Sequence, residues 1–144
     1  MEKEKQPTAQ MPGRWQLVLL IKSFNMNIKF QIVNWNLIET IKHTGEVGDA
    51  FWKTIHFDGL RIRVVEYSKG YLADHWCKKG HIVHCLEGDF MTELEGGSKF
   101  SLKKGMSYIV SDELSSHRSF SAYGVTLLII DGDFLGVNQS AITN

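Results

Sequence analysis

The sequence predicts a single-domain, all-β protein built as a barrel or sandwich, and three observations carry that expectation. The length of 144 residues fits one domain of ordinary size. Thirteen Gly stand against two Pro. Turn-forming groups recur along the chain, with short apolar and β-branched runs between them. At 43% hydrophobic and 22% charged residues, the chain can bury a core of its own. Charge narrows the function. Sixteen Lys and Arg offset sixteen Asp and Glu, so the formal net charge is zero, which argues against a generic nucleic-acid binder and against attraction to a membrane surface.

Taken in order, residues 1–26 read as an N-terminal extension or an extra edge strand over Trp15–Ile21. The apolar run Leu17–Ile21 is far shorter than the ~20 residues a spanning helix needs, and Glu2 and Glu4 offset Lys3 and Lys5, a poor start for a signal peptide. Only Asn36–His43 has a helical pattern. Phe51–Phe57 and Leu60–Tyr67 flank Asp58-Gly59, a strong hairpin signal. Within the second strand of that hairpin, Leu60, Ile62 and Val64 are expected to face the core, which sends Glu66 inward and leaves Arg61 and Arg63 as a solvated outer stripe. An inward carboxylate is costly unless paired or functional, so Glu66 is a candidate acid/base or substrate-contacting group.

Turns follow at Lys69-Gly70, Lys78-Lys79-Gly80, Glu87-Gly88-Asp89, Glu95-Gly96-Gly97, Lys104-Gly105, Tyr123-Gly124 and Asp131-Gly132-Asp133. The barrel is expected over 27–133 and a short tail over 134–144. No GxGxxG opens a helix, so no phosphate loop is expected. The two Cys are too few for a disulfide framework, and a reducing, cytoplasmic setting is the expectation.

The chemistry concentrates between Gly70 and Gly88. Read as a hairpin turning at Lys78-Lys79-Gly80, this stretch places Cys77 across from His81. His75 and Cys77 then share one face with His81 and Val83, so three metal-capable side chains converge. The same register pairs Asp74 with His84 on the other face. It also sets Cys85 opposite Ala73, too far from Cys77 for a disulfide. Trp76 is expected to point away from the metal, and His43 and His56 belong to no motif.

The stretch resembles the first conserved motif of the cupins, which runs Gly, a few residues, His-x-His, three or four residues, Glu, six residues, Gly. Here Gly70, His75-x-Cys77, His81 and Gly88 keep the spacing, with Cys77 in place of the second His and His81 in place of the Glu. Leu72-Ala73-Asp74-His75-Trp76-Cys77 with Lys79-Gly80-His81-Ile82 also resembles the DHCW-motif cupin-fold proteins, over about Asn27 to Asp131. Gly105 and His117 echo the second cupin motif, one residue longer and without its Pro, second Gly and Asn.

The resemblance implies a cupin double-stranded β-helix (a jelly-roll barrel), a homodimer, and a metal held by His75, Cys77, His81 and His117. Imidazole and thiolate ligands suit Zn²⁺ first and tolerate Fe²⁺ or Ni²⁺. Around the metal, either Ser107 or Tyr108 must face the pocket, being adjacent on one strand, and Trp52 is a pocket wall or core. Three function classes stay open. One is a metal-dependent enzyme acting on a small polar molecule, of oxygenase, isomerase or lyase type. The others are a redox-sensitive ligand- or metal-binding module and a purely structural metal site.

Overall fold

The computed structural model describes residues 26–137, so the expected strand at Trp15–Ile21 lies outside the described residues. Nine strands follow in chain order: β1 Thr40–Thr44, β2 Asp49–Phe57, β3 Leu60–Tyr67, β4 Tyr71–Leu72, β5 His81–Leu94, β6 Lys99–Lys103, β7 Ser107–Val110, β8 His117–Ser121 and β9 Val125–Gly132. Among the described residues, no helix is long and apolar enough to cross a membrane.

All pairings are antiparallel, and they form two sheets that share β5. The first runs β1-β2-β3-β9-β5-β7 through the N-terminal half of β5; the second runs β4-β8-β5-β6 through its C-terminal half. The transfer between sheets happens at a bulge between Cys85 and Glu87, followed by Gly88 at φ 81°. A side chain at Gly88 would meet the Gly124 carbonyl oxygen at 2.7 Å, so backbone conformation and close approach both demand glycine. The resulting sandwich is a jelly-roll barrel, the fold class expected from the sequence.

The hairpin signal at Asp58-Gly59 is met: β2 pairs with β3 from Ala50↔Tyr67 to Phe57↔Leu60, and Gly59 has φ 71°. Its facing is the reverse of the expectation. Val65 is fully buried and Arg63 is 4% exposed, whereas Glu66 is exposed. Arg61, Arg63, Val65 and Tyr67 therefore line the interior, opposite Asp131, Ile129, Leu127 and Val125 of β9. Burying Val65 and Leu127 contributes about 1.5–3 kcal/mol each. Leu60, Ile62 and Val64 lie on the outer face, half-covered.

Asn36–His43 is not a helix. A short 3-10 turn covers Trp35–Leu37, capped by the Asn34 side chain accepting from the Asn36 N–H at 3.1 Å. β1 then takes over, because β-branched Thr40, Ile41 and Thr44 gain a full ladder against β2. Beyond β9, Leu135 is buried and its carbonyl accepts from the Asp112 N–H.

Candidate metal centre

The expected hairpin at Lys78-Lys79-Gly80 does not form. β4 pairs with β8, and the chain from Ala73 to Gly80 crosses from one sheet to the other. Gly80 is glycine for close packing: a Cβ there would sit 2.6 Å from the Asp112 amide nitrogen, and its own N–H donates to Asp112 Oδ1 at 2.6 Å. Cys77 is instead bridged to His117, its N–H donating to the His117 carbonyl at 2.8 Å and its carbonyl accepting from the His117 N–H at 3.0 Å. His81 starts β5 in the facing sheet, so the site joins the two sheets.

Three predicted ligands converge. The Cys77 sulfur lies 3.3 Å from His81 Nε2, and the ligand atoms of Cys77, His81 and His117 all lie within 4.8 Å of one another. Both histidines are buried. Each is anchored through Nδ1, His117 donating to the Ser115 carbonyl at 3.1 Å and His81 meeting Asp131 Oδ2 at 3.2 Å. That anchoring turns both Nε2 atoms toward the sulfur, the arrangement that metal-binding imidazoles use. His117 Nε2 is buried without a hydrogen-bond partner, a cost that a metal ion would remove. The donor set of two imidazoles and one thiolate fits a divalent transition metal.

Electrostatics prepare the thiol. Burial alone would raise the Cys77 pKa, but the adjacent imidazoles of His117 and His81 outweigh it and bring the thiol from 9.0 down to about 5. It is therefore a thiolate at neutral pH, the form that binds metal. Burial opposes protonation of His81, yet Asp131 and Cys77 together raise its pKa. Asp131 is held well below the usual carboxylate range, against burial, by His81, Arg61 and Arg63.

His75 is not brought to this group. Its side chain is 71% exposed and its Nδ1 bonds Asp74 at 2.6 Å, leaving it at the rim of the cavity. The cause is the absent hairpin, without which the alternation linking His75 to Cys77 is broken. Asp74 accordingly does not pair with His84, whose Nδ1 lies 2.8 Å from Ser107 Oγ on the outer face. Ser107 is thus excluded from the pocket and Tyr108 faces it, its ring edge-on to His117 with centroids 5.8 Å apart. Trp52 lines the cavity and also packs on the core. Glu66, facing outward and exposed, cannot serve the site as an acid or base.

Cys85 is fully buried and both cysteines are free, as the sequence reading expected. Trp76 stands outside the cavity, with the Arg118 guanidinium 4.8 Å from its ring centroid.

The residues that sequence reasoning missed are Arg61, Arg63, Tyr67 and Asp131. Arg61, Asp131 and His81 form a row across β3, β9 and β5, and Arg63 is one step along the same face. Arg61 binds Asp131 through Nε and Nη2 at 2.9 and 3.0 Å, and Arg63 Nη2 reaches it at 2.7 Å. No polarity signal in the sequence marks them, because the face of β3 that carries Arg61 and Arg63 is the more polar of the two. Arg61, Arg63 and Tyr67 line a cavity with a volume of about 300 Å³, together with Tyr71 and Tyr108.

No protein-family model matches the chain, and no curated protein resembles it in sequence. Solved structures do. An RmlC-like cupin from Shewanella frigidimarina is 15% identical, over 79% of this chain and 97% of that one, with a TM-score of 0.59. Ectoine synthase from P. lautus is 18% identical, over 72% of this chain and 78% of that one, at 0.59. A predicted oxalate decarboxylase from Thermotoga maritima is 13% identical, over 71% of this chain and 99% of that one, at 0.60. At such identities the likeness is one of fold, and the fold of this chain is the single-domain cupin jelly roll.

Proposed function

We propose that this protein is a metal-dependent enzyme acting on a small polar molecule, with the metal held by Cys77, His81 and His117. The observation that carries the proposal is the pair of Nδ1-anchored histidines whose Nε2 atoms face one thiolate at the wall of a closed-in cavity. Three protein ligands leave a tetrahedral ion one open position, which a catalytic site needs and a structural site lacks. Zinc is the first choice because the ligand set contains sulfur and no carboxylate. When bound, the ion supplies Lewis-acid polarisation of a substrate oxygen. Arg61 and Asp131 hold His81 in orientation, and Tyr108 and Trp52 wall the cavity against water. The names ectoine synthase and oxalate decarboxylase among the structures of this fold support an enzymatic reading.

Membership of the DHCW-motif group, a cytoplasmic location and a homodimer belong to the same proposal. The outer face of the first sheet favours the dimer, since Ile62, Val64, Leu128 and Ile130 are only half-covered and Ile109 is 70% exposed.

A redox-sensitive module is the second reading, favoured by the relay from Cys77 to His81 to Asp131, with steps of 3.3 and 3.2 Å. Cobalt-substituted protein separates the two. With an open position, azide shifts the cobalt absorption spectrum; an unchanged spectrum at saturating azide contradicts the enzyme reading.

A further inference from the structure

We propose that the cavity beside this centre recognises a carboxylate, and that Arg63 is its anchor. The inference rests on the reading of the site given above and names the substrate class. Arg63 is 4% exposed, yet its Nε is buried without a hydrogen-bond partner. Its guanidinium is fixed on two sides, by Asp131 at 2.7 Å and by the Trp52 ring, whose centroid is 4.5 Å away. A guanidinium so held on the wall of the cavity is a preorganised anion receptor.

Charge points the same way. Arg61, Arg63, Lys79 and Arg118 all line the cavity, and no Asp or Glu is among its described lining residues. Lys79 and Arg118 are partnered elsewhere, by Asp112 at 3.3 Å and by Glu93 at 3.1 Å. Arg61 and Arg63 must share the single carboxylate of Asp131, which also serves His81. Buried charge without a counter-charge is costly, and an anionic ligand supplies it. The volume of about 300 Å³ is that of roughly ten water molecules at ~30 Å³ each, so the carboxylate belongs to a small molecule.

Calorimetric titration of the full chain, metal-loaded and metal-free, with succinate, its uncharged diamide succinamide, and inorganic phosphate tests this. Succinate is expected to bind at least tenfold more tightly than either succinamide or phosphate. Arg63→Lys keeps the charge and loses the planar guanidinium fork, and should weaken succinate at least tenfold while leaving metal content unchanged. The inference falls if succinamide matches succinate, if phosphate binds more tightly than succinate, if succinate binds neither form, or if folded Arg63→Lys binds succinate like the wild type. Failure of the metal reading shows separately, as no metal uptake, and the metal-free titration still decides the role of Arg63.

Discussion

The two sides of the site are built differently. His81 opens β5 and Asp131 lies near the end of β9, both on strands whose ladder bonds and neighbouring side chains fix them, and Arg61 extends the same row. Cys77 and His75 come from the irregular crossing between β4 and β5. There Cys77 is fixed by its bridge to His117, and His75 is left at the surface. A side chain on a ladder inherits its direction from the strand, whereas one in a crossing segment points wherever its nearest backbone bond sends it. Adjacent positions in sequence can therefore take unrelated roles, as His75 and Cys77 do.

The strongest break in the comparison is expected on the ladder side. Asp131→Asn removes the carboxylate shared by two guanidiniums and an imidazole, and should cost about 3–5 kcal/mol in urea unfolding. Because the pKa of Asp131 is depressed in the folded state, its stabilisation is whole above about pH 4 and declines as pH falls below that value. An acid melt of wild type against Asp131→Asn should show the difference between them shrinking in that window.

Next comes His117→Ala, where metal affinity measured by competition with a chelator should drop about 100-fold or more, with the fold retained by far-ultraviolet circular dichroism. On the crossing side, Cys77 of metal-free protein should react with iodoacetamide at a constant rate above pH 6. The rate should fall with a midpoint near about pH 5, since protonation removes the thiolate. Cys85 is buried with a raised pKa and should not label. The smallest effect is expected for His75→Ala, with metal affinity unchanged within about twofold; a 100-fold loss would make His75 a ligand after all.

The same contrast explains how much could be read beforehand. The β2–β3 hairpin was legible because Asp58-Gly59 determines a turn locally. Cys77, His81 and His117 were legible through motif spacing, although the hairpin invoked to join the first two does not exist. The facing of β3 was misread because both faces carry aliphatic residues: Ile62 and Val64 are half-covered on the outside, so hydrophobicity could not choose between them and Val65. A buried arginine is invisible to that criterion, since the cost of burying Arg63 is met by Asp131, distant in sequence. The 3-10 turn and β1 were missed at Asn36–His43 because an edge strand depends on the ladder its neighbour offers, not on its own periodicity.

The measurement that bears most directly on the site is X-ray absorption at the zinc edge of the full chain loaded with one equivalent of zinc. The expected result is one sulfur scatterer near ~2.3 Å and two imidazole nitrogens near ~2.0–2.1 Å, with the sulfur lost in Cys77→Ser. A shell of light atoms alone, or no zinc retained by the wild-type chain, would contradict a centre built from Cys77, His81 and His117.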